Sequence, residues 1–233
     1  MSRQLPLALR PSPDQRFETF VGAPAGALAQ LQALAMGSGG EWLYLDGGPG
    51  TGKTHLALAA CAAAQVEGRR AAYLPLAAAA GRLGEALQSL DGLDLVALDG
   101  LEAIAGNGTD EVALFDFHNR VRTAGGGVVY AATAAPATLP LGLPDLRSRL
   151  AQCARIALQA LDDAGRAEVL RLRARRRGLQ FDEAAISWLL RRAGRDLAGL
   201  TAQLDALDRA SLAAQRRVTV PFLREVLGLG SGG

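Results

Sequence analysis

Apolar and polar positions change their period once along the chain. Up to about residue 160, short apolar blocks alternate with glycine-punctuated or amphipathic stretches; beyond it only helical spacing recurs. The blocks Trp42–Asp46, Ala71–Leu76, LDLVALDG ending on Asp99 and Gly100, Val128–Thr133 and ARIALQAL (154–161) each read as a strand. Between them lie an Ala-rich helix over Thr54–Ala64, a helix over Asp110–Arg122 and a short helix over Leu143–Leu150. In the second of these, Asp110 is placed to cap the start, Val112, Phe115 and Val121 can share a face, and AGGG (Ala124–Gly127) ends the segment. Five strands separated by helices predict an α/β fold with a doubly wound parallel five-stranded sheet.

From Asp162 onward the pattern predicts a small all-α domain. DDAGRAEVLRLRARRRG has Asp162 or Asp163 as cap and Gly178 as stop. FDEAAISWLLRRAG has Asp182 as cap and Ile186, Leu189, Leu190 and Ala193 inside. DLAGLTAQLDALDRASLAAQ repeats Leu197, Leu200, Leu204 and Leu207 every three or four residues, and VPFLREVLG follows Thr219 as its cap. The predicted organisation is a flexible peptide over 1–15, an α/β domain over 16–160, a helical domain over 161–229 and a tail over 230–233.

Composition narrows the class. The chain is 49% hydrophobic, so a packed core is expected rather than disorder. Its longest apolar runs, near Leu56–Ala64 and Ala71–Ala80, are about half of what a bilayer span needs, and no secretion signal opens it. Cys61 and Cys153 lack metal-ligand spacing, and His55 and His118 are isolated, so no protein-held metal centre is expected. These readings predict a soluble cytoplasmic protein with no membrane contact. A net charge of +2 argues against general coating of nucleic acid. Residues 161–233 nonetheless hold thirteen Arg against nine acids, dominated by Arg171–Arg177. That run is either a solvated helix face or a contact for phosphate or an acidic partner.

Twenty-four of the basic residues are Arg and one, Lys53, is Lys. Lys53 stands in WLYLDGGPGTGKTHLALAACAAA, where Gly47, Gly52, Lys53 and Thr54 fit G-x-x-x-x-G-K-[ST]. Strand, glycine loop, helix is the context this phosphate-binding motif needs. Backbone N–H groups of Gly47, Gly48, Pro49–Thr51 and Gly52 curl around phosphate oxygens, excepting the proline, with His55 just beyond on the helix. Lys53 reaches the β/γ-phosphates; the Thr54 hydroxyl and the Asp99 carboxylate are the candidates for Mg²⁺ carried by the nucleotide. A water-orienting acid is expected directly after Asp99, but Gly100 stands there, with Glu102 two residues on. The chain is thus equipped to hold a nucleotide and poorly equipped to hydrolyse it alone. Thr133, at the end of the fourth apolar block, is either a γ-phosphate sensor or a structural strand end.

The chain resembles the DnaA-related AAA+ family of P-loop NTPases, and within it the Hda branch, whose members inactivate DnaA. The resemblance covers nearly the whole chain and rests on LEAIAGN (101–107), LFDFHNRV (114–121), LGLPDLRSRL (141–150), LRARRRGL (172–179) and LDALDRASLAAQRRVTVPFLREVL (204–227). It implies an AAA+ core followed by a helical lid. It also implies a role for the leucine-rich start: QLPLAL resembles the clamp-binding peptide of that branch at Gln4, Leu5, Leu7 and Leu9, with Ala8 where the branch has proline. An apolar peptide of this kind docks into a preformed pocket on the DNA polymerase III β sliding clamp. The resemblance further implies that Phe17 and Phe20 of RFETFV lie near the adenine. It makes Arg149 of LRSRL an arginine finger acting in trans, and Arg195 the lid residue facing the protein's own nucleotide. TAAP replaces the branch's Asp-Arg-Pro after the fourth strand, which bears on Thr133.

The expectation is therefore a negative regulator of replication initiation. It binds adenine nucleotide, ADP by preference, docks on the clamp and stimulates ATP hydrolysis by DnaA, with a homodimer possible and DNA reached only through the clamp. Two alternatives stand beside it. A DnaA-like helicase loader would need a DNA-binding domain, for which no room is expected after the lid. An independent P-loop ATPase is compatible with Lys53, Thr54 and Asp99, and disfavoured by Gly100.

Overall fold

The computed structural model describes residues 15–38, 40–192, 199, 204, 206–211 and 217–227. They form two compact units that meet in sequence between Ala160 and Leu161.

The first unit holds five strands: β1 (Leu43–Asp46), β2 (Ala71–Pro75), β3 (Leu95–Asp99), β4 (Gly127–Ala132) and β5 (Ala154–Ala157). All neighbours are parallel, in the order β2-β3-β4-β1-β5. Five helices belong to this unit: α1 (Ala27–Met36), α2 (Lys53–Val66), α3 (Leu83–Gln88), α4 (Gly108–Ala124) and α5 (Pro144–Ala151). Because side chains alternate across a strand, the sheet feeds two cores. Tyr44, Val96, Leu98, Val128 and Tyr130 join Leu114, Phe117 and Leu146 of α4 and α5 on one face. Leu43, Leu45, Leu95, Ala97 and Val129 join Leu31, Leu56, Ala57 and Ala60 of α1 and α2 on the other. Burial on both faces is why the central strands read as unbroken apolar runs.

Two details depart from the sequence reading. Asn107 caps α4, its side chain accepting from the N–H groups of Thr109 and Asp110, so Asp110 is not the cap. Asp110 is buried and accepts from the N–H groups of Gly81 and Leu83, at the start of α3, at 2.6 and 3.1 Å. The inward face of α4 is Leu114, Phe117, His118 and Val121; Val112 is exposed and Phe115 only half-buried. Val112 and Val121 are nine residues apart, half a turn around the helix, and so cannot share a face, whereas Leu114, Phe117, His118 and Val121 follow the three- and four-residue spacing of one stripe. β5 also stops at Ala157 rather than running on through the apolar residues that follow.

The neighbouring acid, Glu111, is fully buried. Its carboxylate accepts from the N–H groups of Gly106 at 2.7 Å, Gly142 at 3.0 Å and Leu143 at 2.6 Å. Three backbone donors are enough to hold a buried carboxylate. The result is a fixed start for α5.

The second unit contains α6 (Asp163–Arg176), α7 (Glu183–Arg192), a helical stretch over 206–211 and α8 (Val220–Val226). Asp162 caps α6 through the N–H of Gly165, and Thr219 caps α8 through that of Phe222. Leu170, Ala174, Ile186, Leu189, Leu204, Leu207, Phe222 and Leu223 make its core. Leu197, Leu200 and Ala193 lie outside the described residues. Much of the Arg171–Arg177 run faces acids of its own unit: Arg171 makes a two-toothed pair with Glu183 at 2.9 and 2.7 Å, and Arg175 meets Glu168 at 2.8 Å.

Candidate functional site

The phosphate loop follows the carboxyl end of β1 and runs into α2, whose first residue is Lys53. β1 lies between β4 and β5, and the chain leaves it for β2 at the far side of the sheet. Ligands of such sheets bind at the carboxyl ends of strands beside a reversal of this kind. Two glycines here are dictated by space as well as by backbone angle. A Cβ on Gly47 would sit 2.4 Å from the carbonyl oxygen of Leu158, and one on Gly52 would sit 2.5 Å from the ring of Phe20. At Gly52 the φ of 94° is also left-handed.

Lys53 is buried and donates to the carbonyls of Gly47 and Gly48 at 2.6 and 2.8 Å. Burial lowers its pKa from the ordinary value, while the charges of Glu102, Asp99 and Asp46 act in the opposite sense. The Thr54 hydroxyl donates to Asp99 at 2.6 Å. Tyr73, on β2, donates to the same carboxylate oxygen at 2.8 Å, a partner the sequence did not suggest. Buried and facing Asp99, the Tyr73 phenol titrates well above its usual range. Thr51 closes the turn by donating to the Gly48 carbonyl at 2.9 Å. Gly48, Pro49 and Gly50 complete the loop. An ammonium, a hydroxyl and a carboxylate are thus gathered at one strand edge, beside a loop that has no room for a side chain at Gly47 and Gly52. This donor set fits nucleotide phosphates, and Thr54 and Asp99 are the residues that would hold an accompanying Mg²⁺, which would neutralise phosphate charge.

Gly100 turns the chain away after Asp99 with a φ of 85°. Glu102 lies at the same edge and accepts from the backbone N–H of Thr133 at 3.1 Å. Thr133 falls one residue beyond β4 and is exposed. Of the aromatic pair, Phe17 is buried in the core beneath α1 and α2, whereas Phe20 stays half-buried against Gly52. His55 meets Phe20 edge-on at 5.3 Å between ring centres, with its Nε2 2.8 Å from the Arg16 carbonyl and 3.3 Å from the Thr19 hydroxyl. His55 therefore ties the segment Arg16–Phe20 to the start of α2.

Arg149, near the end of α5, lies elsewhere. It lines a cavity of about 420 Å³ together with Glu41, Trp42, Arg69, Arg122 and the glycines 125–127. Those residues precede or open β1, β2 and β4, so the cavity is at the amino edge of the sheet. The four residues of β1 separate it from the phosphate loop by about 13 Å. Gln4, Leu5, Leu7, Leu9 and Arg195 lie outside the described residues. Among the described residues no cluster of His, Cys, Asp and Glu could hold a metal ion by itself. No helix among them is long and apolar enough to cross a membrane.

A parallel sheet in this strand order, a phosphate loop after β1 and a helical unit following it make the architecture of the AAA+ fold. Solved structures agree. Domain III of the Thermotoga maritima replication initiation protein DnaA is 19% identical with a TM-score of 0.76, over 98% of this chain and 100% of that one. AMPPCP-bound DnaA from Aquifex aeolicus is 22% identical with a TM-score of 0.68, over 83% of this chain and 65% of that one. The Thermotoga maritima RuvB Holliday junction branch migration motor is 16% identical with a TM-score of 0.69, over 92% and 72%. At these identities the likeness establishes the fold. Residues 163–227 match the family model described as Hda, lid domain. The chain therefore carries an AAA+ fold, and its segment 163–227 is similar to the Hda lid.

Proposed function

We propose that this protein is a negative regulator of DNA replication initiation that acts on ATP held by DnaA. It binds adenine nucleotide at Gly47–Thr54, where Thr54 and Asp99 would hold the accompanying Mg²⁺, and ADP serves as the working form. Nucleotide binding is supported by the donor set at the loop and by the AMPPCP-bound state of the Aquifex relative. The peptide Gln4–Leu9 tethers the protein to the sliding clamp, which raises the local concentration of an otherwise weak contact with DnaA. Arg149 then serves as the catalytic arginine in trans.

One observation carries this reading. In a chain with a Hda lid, Arg149 sits at the sheet edge away from its own phosphate loop, with no side-chain hydrogen bond or ion pair among the described residues. An arginine so held cannot serve its own nucleotide and is free to serve another. The intact Lys53, Thr54 and Asp99 also support a second reading, an independent ATPase, but Gly100 offers no water-orienting side chain and Glu102 is engaged with Thr133.

Turnover of ATP pre-bound to DnaA tests the two. The protein with ADP, added with clamp loaded on DNA, is expected to accelerate hydrolysis. Loss of that acceleration without clamp, in Gln4→Ala/Leu5→Ala and in Arg149→Ala is the supporting outcome. Steady ATP turnover by the protein alone, with no effect on DnaA, would move the assignment to an independent ATPase.

A further inference from the structure

The cavity at the amino edge holds more charge than one arginine finger requires. Three arginines line it, against a single acid, Glu41. They are not equivalent. Arg69 is committed to the fold: its guanidinium donates to the carbonyls of Leu34 and Ala35 at the end of α1, at 2.8 and 2.5 Å, and to that of Asp94 at 3.0 Å. Arg122, in the last turn of α4, and Arg149, near the end of α5, have no side-chain hydrogen bond or ion pair among the described residues. Both act on the same buried group, since the charges of Arg149 and Arg122 join burial in lowering the pKa of His118. Two unpaired guanidinium groups thus share one cavity. Arg69 adds a third positive charge to its lining, and between α4 and β4 the lining is bare backbone at Gly125–Gly127. At Gly126 that lining is tight, because an added Cβ would stand 2.9 Å from Val121 and 3.1 Å from the Leu93 carbonyl.

The two arginines line one cavity with Glu41 as its single acid, and a multivalent anion can engage both at once. Guanidinium forks suit phosphate oxygens, each able to donate two parallel hydrogen bonds. The phosphates of the protein's own loop lie at the other end of β1, beyond the reach of either side chain. We infer that Arg122 is a second catalytic arginine, which grips the terminal phosphates of a nucleotide held by another AAA+ subunit beside Arg149. This rests on the role of Arg149 proposed above and extends it to a two-armed clamp. A simpler role for Arg122 is a cation complementing the C-terminal dipole of α4. That role affects stability only, and Lys would fill it as well as Arg.

The test has two arms, run on the full chain with ADP filling its own loop. In the first, stimulated turnover of DnaA-bound ATP is compared for wild type, Arg122→Ala, Arg122→Lys and Arg149→Ala. Arg122→Ala is expected to lower the stimulated rate about tenfold, the loss of one charged hydrogen-bond donor, and Arg122→Lys to recover only part of it. An Arg122→Ala rate within twofold of wild type, with Arg149→Ala inactive, overturns this inference and leaves the regulatory reading standing. Absence of stimulation by wild type overturns that reading instead, and the second arm then decides the cavity by itself. There, inorganic tripolyphosphate is titrated while the indole N–H signal of Trp42, which donates to the Gly126 carbonyl at the cavity wall, is followed by NMR. A saturable shift that vanishes in Arg122→Ala supports the anion site. No shift, or the same shift in Arg122→Ala, overturns it.

Discussion

The two edges of the sheet handle charge in opposite ways. At the carboxyl edge the polar groups answer one another: Lys53 is folded onto loop carbonyls, Thr54 and Tyr73 share Asp99, and Glu102 holds the N–H of Thr133. At the amino edge Arg122 and Arg149 are left open beside an engaged Arg69. A site that binds its own small ligand can keep its side chains in order through mutual hydrogen bonds until the ligand replaces them. The arginine cavity, in the role proposed above, takes a group carried by another molecule, and Arg122 and Arg149 have no such internal partner among the described residues. The contrast teaches that the nucleotide loop and the arginine cavity are separate devices on one sheet.

The largest effect on that contrast should come from Glu111, which fixes the start of α5 through three backbone donors. Glu111→Ala leaves those donors buried without a partner and is expected to destabilise the first unit by about 4 kcal/mol, read by denaturant unfolding followed at Trp42. If the loss is under about 1 kcal/mol, the two edges do not depend on this tie.

The next effect belongs to the amino edge. His118 is fully buried, its Nδ1 3.0 Å from the Tyr130 hydroxyl and its ring 4.4 Å from Trp42. Burial, then Arg149 and Arg122, push its pKa down to about 4. The native state therefore refuses a proton that the unfolded chain accepts from about pH 6.5 downward. Stability contributed here is intact above that pH and falls by about 3 kcal/mol as the pH drops toward the native value. His118→Gln should flatten this limb of the stability curve, and an unchanged limb would show that the acid sensitivity arises elsewhere.

A smaller effect is expected at the carboxyl edge. Lys53→Ala should weaken adenine nucleotide binding about a hundredfold, the loss of charge-assisted hydrogen bonds to phosphate, while the tripolyphosphate response at Trp42 persists. Calorimetric titration with ADP measures the first and NMR the second. Loss of both together would join the two edges into one site.

The carboxyl edge was legible in the sequence because its chemistry is local. Gly47 to Thr54 is a continuous stretch, and Asp99 closes an apolar block long enough to be a strand. The helical domain was legible for the same reason, through caps such as Asp162 and Thr219 at the heads of periodic runs. The amino edge was not, since Arg69 in the α2–β2 connection, Arg122 of α4 and Arg149 of α5 meet only through the strand order. Asp110 misled and Glu111 was passed over for a related reason. An acid at the head of a helix looks like a cap, and nothing local announces that the partners of these two lie near Gly81 and Leu143. Helix α1 escaped notice because the segment ALAQLQALAM carries no charged face to set its period.

The tie at Glu111 also gives α5 a fulcrum and a lever arm. From the anchored N–H of Leu143 to Arg149 the axis runs about 9 Å, so a tilt of about ten degrees at the root swings the backbone at Arg149 by roughly 1.5 Å. Misplacement of about 1 Å can cost a catalytic group a hundredfold in rate. A change near Gly106 or Gly142, remote from any phosphate, would therefore act on the arginine as a steering error rather than as a loss of chemistry.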